Sequence, residues 1–315
     1  MNFEGILAQL TAMALALVGA PLLVGWVNKC RAWLQGRRAP PLTQPFRMLH
    51  KLFWKESVVA HGATAMYRLA PYVIFSCMLL ASMIIPTLST NLPLAPVADA
   101  IALVGLFALA RVFISLAAMD IGTAFGSMGA RREMLIGFLA EPAFLMVLFT
   151  ASLISNSTSL ATIVSSLAHR ELAVLPSLGF AGVAFTMISL AENARVPVDN
   201  PTTHLELTMI HEALVLEYSG RHLALLEWAA ALKLFAYSCA GLALFFPWGV
   251  AQANDHVALF WALPVLVAKL TVGGFLLAFI ETILAKMRIF RVPEFLTTAF
   301  LLGVLALLVH LLLGA

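Results

Sequence analysis

Eight stretches of the chain, about 5–27, 71–91, 97–118, 134–154, 176–192, 223–247, 258–281 and 294–313, are almost continuously apolar. A helix rises 1.5 Å per residue, so about 20 such residues match the hydrocarbon thickness of a bilayer. The fifth run is the shortest. None alternates apolar and polar residues over about ten positions, the pattern a transmembrane barrel requires. Only 11% of the 315 residues are charged and 62% are hydrophobic, against about 25% charged in a soluble domain. The expectation is an all-α, polytopic integral membrane protein of about eight transmembrane helices, forming a single domain over residues 1–315. The opening Met-Asn-Phe-Glu-Gly lacks a basic n-region, so the first run reads as a retained helix and not as a signal peptide.

Basic residues set the expected orientation, because Lys and Arg are held on the cytoplasmic side. The segments 28–70, 119–133, 192–222 and 282–293 hold fifteen of the nineteen. Arg170 alone falls on the opposite face, and Arg111, Lys233 and Lys269 lie inside spans. These four segments are the expected cytoplasmic loops, and both termini are expected in the periplasm. The net charge of +3 follows from this bias and gives no sign of nucleic-acid binding. Cys30, Cys77 and Cys239 are scattered, with no paired spacing for a metal site or a disulfide framework.

Two of the expected loops are long and rich in charge. In the first, Pro40, Pro41 and Pro45 prevent a continuous helix. From Phe46 a short amphipathic helix is expected, with Phe46, Leu49 and Phe53 on one face and Arg47, Lys51 and Lys55 on another. Such a helix suits either anionic headgroups or a soluble partner, and the two are compatible. In the second loop, Glu192, Arg195, Asp199, Glu206, Glu212 and Glu217 crowd around Pro197 and Pro201. A new helix is expected after Pro201, with Thr203 and Glu206 in capping-box spacing. If it continues, Glu206 and Glu217 share a face about 16 Å apart, too far for direct proton exchange. His204 and His211 would lie roughly 10 Å apart, too far to share one metal ion.

Within the spans, Arg111, Glu141, Lys233 and Lys269 each carry an insertion cost of about 2.5–3.5 kcal/mol. Pro142 after Glu141 frees the carbonyl of Phe138. Such groups either conduct ions or pair with one another as structural glue. No cysteine cluster, nucleotide loop or zinc motif suggests a catalytic centre on this chain.

The string Glu192-x-x-Arg195-x-Pro197-x-Asp199-x-Pro201, followed by Glu206-Leu207 and Glu217-Tyr218-Ser219, resembles the signature of subunit 1 of NADH:quinone oxidoreductase, respiratory complex I. The resemblance extends to the membrane anchors of energy-converting NiFe hydrogenases of the formate hydrogenlyase and hydrogenase-4 component C type. The segment with Gln44-Pro45, Lys51-Leu52 and Lys55-Glu56 looks like that family's first cytoplasmic loop, and 129–142, with Arg132 and Glu141, like another of its segments. Thr202, His204 and Met48 stand where the complex I version carries acids. Asp120-Ile-Gly-Thr-Ala-Phe-Gly, Pro142 and Glu217-Tyr218-Ser219-Gly220 are closer to the hydrogenase-type anchors.

The resemblance implies a non-catalytic membrane subunit in a bacterial or archaeal cytoplasmic membrane. Hydrogenase-like small and large subunits would dock on its cytoplasmic face, carrying the iron–sulfur clusters and the NiFe centre, with antiporter-like subunits beside it in the bilayer. It implies no cofactor on this chain, and it leaves open a quinone. The docking residues expected are Arg37, Arg38, Gln44, Lys51, Lys55, Arg132, Arg195 and Tyr218. A proton or sodium route is expected through Glu141, Glu192, Asp199, Glu206, Glu217, Lys233 and Lys269. Two other readings remain open: the quinone-site subunit of a complex I-like enzyme, and a stand-alone secondary transporter. The transporter would show internal repeats and broken midplane helices, of which Gly273-Gly274 and the Pro-interrupted fourth span are the only hints.

Overall fold

The computed structural model describes residues 3–60, 62–90, 92–169, 176–199, 210–251 and 256–313, and among these it is a helical bundle without a sheet. The helices are α1 (Phe3–Leu34), α2 (Gln44–Trp54), α3 (Ala65–Ile84), α4 (Ala100–Asp120), α5 (Ala124–Ser155), α6 (Leu160–His169), α7 (Pro176–Glu192), α8 (His211–Val215), α9 (Gly220–Phe245), α10 (His256–Ile283) and α11 (Val292–Leu313). Seven of them are long and apolar enough to cross a membrane. The expected fifth span, α7, is a helix but has only 17 residues, about 25 Å of rise. Eight expected spans thus become seven candidate spans and one shorter apolar helix. The chain is an integral membrane protein.

Several boundaries fall outside the apolar runs. Helix α5 begins ten residues before residue 134, at Ala124, because Arg131, Arg132 and Glu133 carry charge without breaking a helix. Its start is fixed by Thr123, whose hydroxyl accepts from the Gly126 N–H, and its end by Asn156 at a φ of 52°. Thr64 and Asp99 cap α3 and α4 in the same way. Pro45 stands in the first turn of α2, where its missing N–H costs nothing. The helix expected to reach Glu217 is shorter: α8 stops at Val215, and Glu217 follows in a turn. Residues 200–209, with His204 and Glu206, lie outside the described residues.

Alanines fill many close contacts in the interior, among them Ala16, Ala81, Ala143, Ala236 and Ala278, as expected where helices associate by packing rather than by the hydrophobic effect. Helix α11 packs on α5 and α7, α3 on α4 and α9, and α1 on α10. At one end of the bundle the basic connections form a single layer. Ser219 bonds Val58 through both its own oxygen and its proton, Thr64 bonds Asp120, and the Met287 N–H donates to Pro197. At the other end, main chain joins main chain: Thr90 and Leu88 pair with Ala251, and Ala98 and Ala100 pair with the 158–160 segment.

Candidate functional site

Arg111 of α4 is the centre of the charged interior. Its guanidinium donates from Nε to Glu133 at 3.2 Å, from Nη1 to Glu141 at 2.7 Å and from Nη2 to Glu192. Lys233 of α9 pairs with the same Glu192 oxygen at 2.9 Å. Four helices, α4, α5, α7 and α9, therefore meet through five charged side chains. Arg111 and Glu192 are buried, with side chains 5% and 2% exposed, while Glu141 keeps 30%.

The sequence of α5 builds its side of this cluster. Glu133, Gly137 and Glu141 recur every four residues and so lie along one helix face. Arg111 crosses that face at Gly137, where a Cβ would overlap the guanidinium. The glycine allows the approach, and the two glutamates receive the donors on either side. Three carboxylates face two cations. With every group ionised the cluster holds one negative charge in excess, and one added proton brings it to neutrality. A buried ion set of this kind tolerates poorly the removal of one partner, because the rest are left uncompensated.

Beside this cluster lies a cavity of about 90 Å³, lined by Arg111, Glu133, Glu192 and Lys233 among others, with room for a few waters of about 30 Å³ each. A second cavity, about 280 Å³, opens between α1, α2 and the 193–199 segment and is lined by Arg195, Asp199, Glu212 and Glu227. Met48, the position read as departing from the complex I pattern, also lines it. A third, about 520 Å³, is lined by Arg31, Gln35, Arg37, Arg38 and Glu281.

The other expected residues fall into two groups. Asp199 and Arg195 belong to a second set of ion pairs at the basic end. Asp199 accepts from the Ile210 and His211 N–H groups at 3.3 Å and pairs with Lys286 at 3.1 Å. Arg195 pairs with the buried Glu281 at 3.0 Å, and Arg31 approaches the same carboxylate at 3.6 Å. Tyr218 stacks on Tyr67, with ring centres 4.0 Å apart, and donates to the Tyr67 carbonyl while Tyr67 donates to the Glu217 carbonyl. Burial, with the Tyr67 phenol and Asp120 nearby, pushes the Tyr218 phenol up, so it stays a neutral donor.

Arg37, Arg38, Gln44, Lys51 and Lys55 are exposed on the connection from α1 through α2, and Arg132 is half-buried on α5. Glu217 is exposed and contributes its carbonyl rather than its carboxylate to a described bond. Lys269 stands apart from the Arg111 cluster. It donates to the Phe246 and Trp248 carbonyls and lies 4.2 Å over the Trp248 ring, closing the end of α9 away from the basic layer.

From the sequence Arg111 is a costly in-span charge that either conducts ions or pairs as structural glue, and its partner Glu133 and, elsewhere, Glu281 go unremarked. The four-residue recurrence of Glu133, Gly137 and Glu141 was the available signal for the first two. Among the described residues no group of three or more His, Cys, Asp or Glu side chains is placed to hold a metal ion.

Comparison with known proteins agrees with this architecture. The NADH dehydrogenase family model matches residues 7–312. Formate hydrogenlyase subunit 4 of Escherichia coli K12 is 31% identical over 281 residues, 89% of this chain and 91% of that protein. Hydrogenase-4 component C of the same organism is 32% identical over 301 residues, 96% of this chain and 94% of that protein. Among solved structures, a chain of the membrane-bound sulfane sulfur reductase, an archaeal respiratory membrane complex, shares the fold with a TM-score of 0.83 at 19% identity, covering 97% of this chain and 99% of its own.

Proposed function

This chain belongs to the NADH dehydrogenase family as a complex I-like membrane subunit, and from that premise we propose that it anchors a NiFe hydrogenase or formate hydrogenlyase-type complex and couples its redox chemistry to proton movement. The observation that carries the proposal is the Arg111 cluster: five ionisable groups from four helices, with Arg111 and Glu192 buried, beside a cavity of about 90 Å³. Protons cross an apolar slab only along ionisable side chains and trapped water. An odd number of carboxylates over cations leaves room for one more proton. A charge change at the docking face would alter the balance of the coupled set and so its proton occupancy.

In this reading the chain carries no cofactor and is not catalytic by itself. Hydrogenase-like small and large subunits hold the iron–sulfur clusters and the NiFe centre, and antiporter-like subunits flank it in a bacterial or archaeal cytoplasmic membrane. The basic end faces the cytoplasm, both termini face the periplasm, and Arg37, Arg38 and the exposed face of α2 receive the soluble module. Sodium in place of protons would use the same carboxylates. The cavity of about 280 Å³ favours a second reading, in which a quinone enters beside α1 and α2. Saturating quinone-site inhibitors would then abolish turnover.

Glu141→Gln tests the coupling, since it keeps the side-chain volume and removes ionisation. In native inverted vesicles it should leave complex assembly intact and depress proton translocation per redox turnover. Wild-type translocation at wild-type turnover would overturn the proposal. A protein that isolates alone and transports a solute in liposomes would favour the transporter instead.

A further inference from the structure

The inner cavity beside the Arg111 cluster and the outer cavity of about 280 Å³ share four lining residues, Asn193, Ala194, His211 and Ala230. The partition between them is therefore one layer of side chains thick at these positions. Two of the four are polar. Asn193 donates from Nδ2 to the Ser189 carbonyl at 2.8 Å, which fixes the amide, while its Oδ1 is buried and finds no donor among the described residues. A buried carbonyl oxygen of this kind calls for a hydrogen-bond donor such as water. His211 is held by its backbone, whose N–H donates to Asp199 at the first residue of α8. The residue forms part of the wall of both cavities.

The charged groups on each side differ. The inner cavity offers Arg111, Glu133, Glu192 and Lys233, and the outer one Arg31, Arg195, Asp199, Glu212 and Glu227. Among the described residues, this partition separates the spaces that the carboxylates on the two faces line. Imidazole is the side chain suited to such a position, because it can bind a proton at either of two nitrogens.

We propose that His211 is a relay residue that carries protons through the Asn193–His211 partition, between the carboxylates of the outer cavity and the Glu192–Lys233 pair within. One ring nitrogen takes a proton from the outer cavity to form the imidazolium. The other nitrogen releases its own proton toward the inner cavity, and the ring returns to the neutral form as the opposite tautomer. Rotation of the ring restores the starting state, and no electron moves. The inference rests on the coupling reading above and adds to it the entry point and the group that serves it.

The test uses the intact complex in native inverted vesicles, with turnover, proton translocation and copurification measured together. His211→Gln retains volume and hydrogen bonding but cannot relay a proton, and it should remove most of the protons moved per turnover while the complex still copurifies. His211→Ala should do the same, and added imidazole should restore translocation relative to wild-type vesicles at the same imidazole concentration. Wild-type translocation in His211→Gln overturns the relay. So does a loss in His211→Ala that imidazole leaves unchanged, since that marks a structural role. If His211→Ala does not assemble, His211→Gln decides alone. Glu141→Gln in parallel separates the two claims. Lowered translocation there with a wild-type His211→Gln removes only the relay, whereas wild-type translocation in Glu141→Gln removes the coupling reading itself.

Discussion

The two sets of ion pairs use the same chemistry for different ends. In the Arg111 cluster, helices α4, α5, α7 and α9 meet inside the bundle, the carboxylates outnumber the cations, and a cavity adjoins them. At the basic end, Glu281 of α10 pairs with Arg195 and with Arg31 of α1, and Asp199 pairs with Lys286, so the connecting segments are tied to helix ends and to one another. There each carboxylate is matched by cations or by backbone N–H groups. A matched clamp fixes loops in place, whereas an unmatched buried set retains a place for a proton.

The largest separation between the two should come from Arg111→Met. It strands Glu133 and Glu141 beside an apolar side chain and leaves Glu192 to Lys233 alone, a loss of about 3–5 kcal/mol. The amount of folded protein recovered from membranes, followed by size-exclusion chromatography, should fall sharply. Arg111→Lys should recover part of it, because the charge remains but the three-way fork does not. Gly137→Ala is expected to act next, by pushing the guanidinium off the face between Glu133 and Glu141 at about 1–3 kcal/mol. Thermal melts of the purified protein should show the loss, and proton translocation should fall with it.

The clamp should respond differently. Lys286→Met removes the cation beside the buried Asp199, whose carboxylate still accepts from the Ile210 and His211 N–H groups. It should loosen the hold on soluble subunits in copurification and leave protons per turnover unchanged in the complexes that remain. Arg37→Glu with Arg38→Glu, on exposed residues outside both sets, should release the soluble module while the chain stays inserted. Retained copurification after that reversal would contradict the docking surface.

The smallest effect is expected at Tyr218. Tyr218→Phe removes one hydrogen bond to the Tyr67 carbonyl, about 1 kcal/mol. The raised phenol also gives a pH signature. Below the ordinary tyrosine range both folded and unfolded forms are protonated, so stability is flat. Above about pH 10 the unfolded phenol ionises first and stability declines. The Phe variant should show a shallower decline in alkaline melts.

The sequence made the membrane class legible because burial in lipid needs long apolar runs, and those runs are written residue by residue. The charged interior was only half legible. Glu141, Glu192 and Lys233 announced themselves as costly charges at or within spans, but Arg111 became their centre only through the packing of α4 against α5. Gly137 between Glu133 and Glu141 carried that information locally. Glu281 and Arg31 were hidden at span ends, where a charge is ordinarily solvated. Lys269, expected on the same route, donates to the Phe246 and Trp248 carbonyls beyond the end of α9, where the helix dipole favours a cation. Glu217 was expected on a helix face, but α8 ends after five residues, a boundary that tertiary contacts decide.

The central claim is that the unmatched cluster exchanges a proton during turnover. Redox-triggered infrared difference spectra of the intact complex read this directly, because a protonated carboxyl absorbs apart from a carboxylate. The account predicts a carboxyl band that appears with turnover in the wild type, is lost in Glu141→Gln and persists in Lys286→Met. Identical spectra for the wild type and Glu141→Gln would contradict it.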